Sequence, residues 1–292
     1  MSSFDFKYQS LLSEVRHAPI KSTRSGVDAH MLPGATFVHD LSEGFPLTTL
    51  RTIPFHLIAS ELEFNLQGIT DKRWLQERGN HIWDEWCNPS LVPYARDAAT
   101  RRRMHEERDL GPLYGFEWRH FGAKYEGYAN DYSGQGVDQI TWLLETIKTD
   151  PNSKRMVVSC WNPQHLTQQA IPPCPFAFKV SVFENTMHLF LFQRSIDIML
   201  GFPFDLAQYA LLLHLLAQET GYIPGTVTAF FGNVELYVTH EDQADEILSR
   251  EPHSALPRTS TSQPVSVLTW AHTDTRLDGY QSHPHIKISV AI

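Results

Sequence analysis

Between Ile171 and Tyr209 the chain runs from a cysteine-bearing double-proline turn through strand-forming runs into a long apolar helix. Ile171-Pro-Pro-Cys-Pro175 sets Cys174 in a turn stiffened by proline rings. Phe176–Phe183 and Met187–Phe192 are rich in aromatic and β-branched residues and predict two strands. A polar cluster, Gln193-Arg194-Ser195-x-Asp197, and a turn at Gly201-x-Pro203 follow. Leu206–Thr220, with Leu211, Leu212, Leu213, Leu215 and Leu216, predicts a buried helix. A preorganised thiol beside an arginine is partly thiolate near neutral pH, which makes Cys174 a candidate nucleophile. The alternative, a small buried hydrophobe, stays open on these residues alone.

The rest of the chain reads as helices and strands without repeats or linkers. Phe6–Arg16 predicts a first helix, followed by a basic segment with Arg24 before Gly26. That arginine suits either a phosphate or a solvated turn. Ile53, Leu57, Ile58, Leu62 and Leu66 fit an amphipathic helix over 53–67, ended by Gly68. Glu61 falls in its apolar half, where a carboxylate must be paired, solvated or functional. Trp83 and Trp86 stand three residues apart, on one face if that segment is helical. Residues 87–109, with Arg101-Arg-Arg103, read as a charged surface excursion, and 127–136 as a loop. A helix is predicted over 137–148, and strands over 156–161 and 226–238.

Composition narrows the classes of function. A net charge of −9 argues against a broad nucleic-acid surface. The first residues lack a signal peptide's apolar core, and no run reaches the roughly 18 apolar residues of a membrane span. Three cysteines without metal-site spacing suit a reduced, cytoplasmic protein.

The Pro172-Pro173-Cys174 turn, Gln193-Arg194-Ser195-x-Asp197 and Leu200-Gly201-x-Pro203-Phe204 resemble the catalytic segment of the folate-dependent thymidylate synthase family. The resemblance extends from Arg24 to the terminal Val290-Ala291-Ile292. It implies an α/β (α+β) thymidylate-synthase-like fold, a mixed twisted sheet flanked by helices, as one catalytic domain over 1–292. A face of that sheet would meet a second copy in an obligate homodimer. The implied cosubstrate is 5,10-methylenetetrahydrofolate, the substrate a pyrimidine nucleoside monophosphate, with no metal. Cys174 would add to C6 of the base, with Glu61 and Tyr114 moving protons and Arg194 favouring thiolate and phosphate. Arg24 would bind phosphate, joined by Lys154 and Arg155 reaching from the neighbouring subunit. Gln193, Ser195, Glu235 and Tyr237 would line the nucleotide. Ile82, Trp83, Asp197 and Gly201 would meet the folate, and Ile292 would close over it as part of a terminal lid.

Five site positions depart from the family pattern. Lys154 stands for an arginine, Pro175 for the histidine after the cysteine, and Asn233 and Glu235 replace an Asp-x-His pair. The fifth is Asp205, in place of asparagine, and it bears on the base. A carboxamide mirrors uracil's N3–H donor and O4 acceptor. A protonated aspartic acid mirrors cytosine, offering an O–H to N3 and a C=O to the amino group. Asp205 therefore favours a cytosine nucleotide, deoxycytidylate, and the kept Trp83, Tyr114 and Val290-Ala291-Ile292, which in the family shut out water, favour methyl transfer as the outcome. Hydroxymethyl transfer and an ordinary thymidylate synthase are the alternatives, as is Asp205 serving only as a helix N-cap before Leu206.

Overall fold

The computed structural model describes residues 3–23, 26–262 and 265–290. Helix α1 (Ser3–Arg16) begins earlier than its apolar pattern predicts and buries Phe4, Tyr8, Leu12 and Val15. Strands β1 (Ile20–Lys21) and β2 (Ala29–Asp40) follow, then α2 (Phe55–Leu66), which carries Glu61. A short helix α3 (Arg73–Gln76) comes next, and the excursion holds α4 (Ala98–Glu106), capped by the Asp97 carboxylate on the Thr100 N–H at 2.9 Å. Helices α5 (Tyr114–His120) and α6 (Gln139–Thr149) lead to β3 (Val157–Ser159).

The central stretch supplies β4 (Pro175–Phe183), β5 (Thr186–Gln193), the short β6 (Ile196–Asp197) and α7 (Gly201–Thr220). Helix α7 starts at Gly201, so Gly201-x-Pro203 is its first turn rather than a separate turn. Proline is tolerated there because the first N–H groups of a helix have no intrahelical acceptor. The helix stops where Gly221 takes a left-handed conformation, φ 79°. Strand β7 (Ile223–Tyr237), α8 (Glu241–Ser249) and the hairpin β8 (Arg258–Thr261) and β9 (Thr275–Asp278) complete the chain.

The main sheet has seven strands, ordered β1-β2-β7-β5-β4-β3, with β6 paired to the end of β7. Strands β5 and β6 run parallel to β7 and the other pairings are antiparallel. A parallel pair needs a crossover, and α7 provides it, which forces that helix onto the sheet. The fold is thus the expected mixed sheet flanked by helices.

Alternation along the strands separates the two faces. Phe178, Val180, Leu189, Leu191, Val227 and Ala229 are fully buried on the helix side. On the other side Phe176, Phe190 and Phe192 are half-buried, and Phe230 is 38% exposed. Phe176, Phe192 and Phe230 form a string, with Phe192 stacked on Phe230 at 5.4 Å and Phe176 reaching Trp161 at 6.3 Å. Among the described residues no helix is long and apolar enough to cross a membrane.

Candidate active site

The antiparallel pairing of β4 with β5 sets Pro175 opposite Gln193 and brings the two ends of the central stretch together. Proline opens β4 because it has no N–H for the ladder, and a bulge follows it. One residue before the strand, Cys174 accepts the Arg194 N–H on its carbonyl at 2.9 Å. Its own N–H donates to the Tyr114 hydroxyl at 3.0 Å. The Arg194 guanidinium donates to the carbonyls of Pro172 and Pro173 at 2.7 and 3.0 Å, and to Cys174 Sγ at 3.4 Å. Ser195 Oγ lies 3.9 Å from the same sulfur and accepts from Arg194 at 3.2 Å. The proline turn is thus clamped by the arginine whose charge faces the thiol.

That charge does not win in the free protein. Burial pushes the Cys174 thiol up, and Asp205 adds to the rise, while Arg194 and the Ser195 contact pull it down. The expectation of a ready thiolate is therefore corrected: desolvation outweighs one partly exposed guanidinium. Tyr114 is likewise pushed well up by burial and keeps its proton.

Two carboxyls share the interior of the cleft. Glu61 Oε1 accepts from the Trp83 indole N–H at 2.8 Å, and Oε2 from the Gln208 amide at 2.8 Å. Its carboxyl is enclosed, although the residue keeps some surface, and burial pushes its pKa up to about 7 against the pull of both donors. Asp205 is the fifth residue of α7 and does not cap it; the N-cap is Leu200, without a side-chain bond. Its Oδ2 accepts from the Gln193 amide at 2.6 Å. Burial, with repulsion from Glu61, pushes Asp205 up to about 8.

A third carboxyl, Asp197, ends β6, and its Oδ1 accepts from the Met199 and Leu200 N–H groups at 2.8 and 3.1 Å, shaping the entry to α7. Burial raises its pKa too. Register pairs Asp197 with Glu235 on β7. Glu235 is raised by burial and by Asp197 and lowered by Arg194. Tyr237, two residues on, is pushed up to about 12, again by burial first. Gly201 sits where a Cβ would lie 2.9 Å from Ile196 Cδ1, so a side chain there would press on Ile196, with Asp205 Oδ2 in ordinary contact at 3.8 Å.

Around Trp83, residues 82–85 form turns, so the condition under which Trp83 and Trp86 would share a helical face is not met. The Trp83 ring meets Trp86 edge-on at 5.8 Å and Tyr114 at 6.3 Å, and Ile82 packs half-buried beside the core. Lys154 and Arg155 are exposed before β3 and have no ion pair among the described residues. Arg24 and Ile292, expected at phosphate and lid, lie outside the described residues.

Sequence reasoning missed Gln208, which holds Glu61 from α7. The available signal was a lone amide inside an otherwise apolar helix, where an unpaired polar group is costly. A family model described as thymidylate synthase matches residues 6–292.

Proposed function

The chain belongs to the thymidylate synthase family, enzymes of folate-dependent C5 methyl transfer to a pyrimidine nucleotide with 5,10-methylenetetrahydrofolate as cosubstrate, and we propose that its own nucleotide is deoxycytidylate, converted to the 5-methyl form. The observation that carries this reading is Asp205. It projects into the cleft from the helix interior and holds its proton up to about 8. With Oδ2 accepting from Gln193, a protonated Asp205 offers cytosine both an O–H for N3 and a carbonyl lone pair for the amino group. Because Gln193 donates to Oδ2, the proton of the neutral acid rests on Oδ1, and a uracil N3–H meeting that O–H would set donor against donor, leaving buried groups unpaired at about 1–3 kcal/mol each.

The residues around the cleft fit the folate as well. Asp197 has one oxygen turned to the backbone, while its other has no hydrogen bond among the described residues. With the Trp83 ring and Ile82, that suits a flat heterocycle bearing N–H donors. Bound methylenetetrahydrofolate supplies the one-carbon unit and the hydride. The chain's part is to add the Cys174 sulfur to C6 of the base, which makes C5 nucleophilic. Arg194 stabilises the thiolate as it forms. Glu61, with a pKa near neutrality, exchanges protons at the ring, and Tyr114 sits against the Cys174 backbone to serve C5. Trp83, only 7% exposed, helps keep water from the site, which favours methyl over hydroxymethyl product.

Incubating the protein with methylenetetrahydrofolate and each of dUMP, dCMP and CMP, then weighing the products, tests substrate and outcome together. A 5-methylated deoxycytidylate is expected. Preference for dUMP would overturn the cytosine reading, and a hydroxymethyl product would overturn the water-exclusion reading.

The working unit in this proposal is a homodimer of one-domain chains. Support comes from the open aromatic sheet face and from Lys154 and Arg155, cations exposed without an ion pair among the described residues. Lysine keeps the positive charge there but not a bidentate fork. Mixing an inactive Cys174→Ser chain with an inactive Arg155→Ala chain should regenerate active sites in heterodimers. No recovery in verified heterodimers would mean that each subunit is self-contained.

A further inference from the structure

Lys72 is 1% exposed, yet among the described residues no carboxylate forms an ion pair with its ammonium. Instead Nζ donates to three backbone carbonyls: Asp84 at 3.1 Å, Trp86 at 2.9 Å and Met104 at 2.8 Å. All three donors are thereby satisfied, which is what allows a lysine to be buried at all. Two of the carbonyls lie within three residues of Trp83, on the segment that delivers its indole to Glu61. The third belongs to α4, in the excursion the sequence presents as a charged surface.

The excursion is thus more than a solvated loop. Cys87, Val92 and Met104 form a small apolar cluster of their own, while Arg101, Arg102 and Arg103 face solvent. Around the lysine, Gln76 donates to Asp84 Oδ1 at 2.8 Å, and His81 contacts Oδ2 at 3.0 Å. His105 approaches that oxygen from α4 at 4.0 Å. The turn residues 82–85 have no helical ladder to stiffen them. A cation with three short bonds does that work instead, pinning the turn to α4.

We infer that Lys72 is a positioning residue, holding the 84–86 backbone so that the Trp83 indole N–H stays on Glu61. It touches neither nucleotide nor folate. Its effect on turnover rests on the role proposed above for Glu61, but its effect on the indole does not.

The test follows the Trp83 indole N–H by NMR in 15N-labelled protein, assigned with Trp83→Phe, alongside kinetics. In the parent protein that resonance should move with pH as Glu61 titrates. In Lys72→Met it should shift toward the position of an unbonded indole and lose its pH response, with Trp118 and Trp270 unmoved. Lys72→Gln, which keeps two donors, should fall between. Turnover in Lys72→Met should drop about 10- to 100-fold, the scale of a displaced catalytic contact. An unchanged, still titrating Trp83 signal in a folded Lys72→Met protein would overturn the inference. So would global unfolding of both variants, which would make Lys72 a support of the whole fold. A changed indole signal with unchanged turnover would keep the positioning role and count instead against Glu61 as the proton-transfer group.

Discussion

The wall of the cleft built on α2 and the wall built on α7 each present one buried acid, and they hold it differently. Glu61, on α2, receives two donors, an indole and an amide. Asp205, on α7, receives one amide and faces the charge of Glu61. Burial raises both, but two donors restrain Glu61 to about 7, while Asp205 reaches about 8. Aspartic acid is ordinarily the stronger of the two acids, and here the order is reversed. Burial lifts both acids, and Asp205, with one donor against two and with Glu61 and Asp197 nearby, is lifted further from its ordinary value. Under the proposed function the consequence is a division of labour: one acid poised to exchange a proton near neutrality, the other kept neutral to donate.

Asp205→Asn breaks the comparison most severely. It restores the donor–acceptor order complementary to uracil at nearly constant volume. Preference between cytidylate and uridylate, measured as a ratio of kcat/KM values, should change by about 10- to 10⁴-fold. The parent's activity on cytidylate should fall as pH rises through about 8, because Asp205 then loses the proton it donates. The asparagine variant should lack that alkaline limb. An unaltered substrate ratio would detach Asp205 from base recognition.

Glu61→Gln attacks the other wall. Turnover should fall about 10²- to 10⁴-fold, the usual contribution of general acid–base catalysis. Nucleotide affinity, measured by calorimetry, should hold. Removing the Glu61 charge also removes a cause of the high Asp205 value, so in the residual activity the alkaline limb should move to lower pH. A limb that stays in place would show that the two walls act independently.

Gln208→Ala is the finest probe. It deletes one donor to the ionised Glu61 and brings that acid closer to the state of Asp205. The acid limb of the rate profile, where Glu61 gains its proton, should rise by about one pH unit. The same profile in both proteins would leave the Trp83 indole as the only effective donor.

Much of this was legible in the chain itself. The strands around 176–192, the helix through Leu211–Leu216 and the strand ending at Tyr237 follow from period and composition. Cys174 and Arg194 were recognisable because proline turn and polar cluster are local patterns separated by two strands. Local patterning left the backbone open at Trp83, where the i,i+3 spacing would share a face only in a helix, and the chain forms turns there. It also concealed Lys72, one charge within Asp71-Lys72-Arg73, whose burial depends on carbonyls as far as 32 residues away.

The sequence by itself determined most of the elements, the candidate nucleophile and the presence of an acid at position 205, since each is written in neighbouring residues. Tertiary structure alone decided what those groups are chemically. Gln208 reaches Glu61 across 147 positions, and Gln193 meets Asp205 only because β5 runs into α7 through the crossover. Proton affinity is set by desolvation and by the donors and charges within a few ångströms, and those distances exist only once the chain has folded.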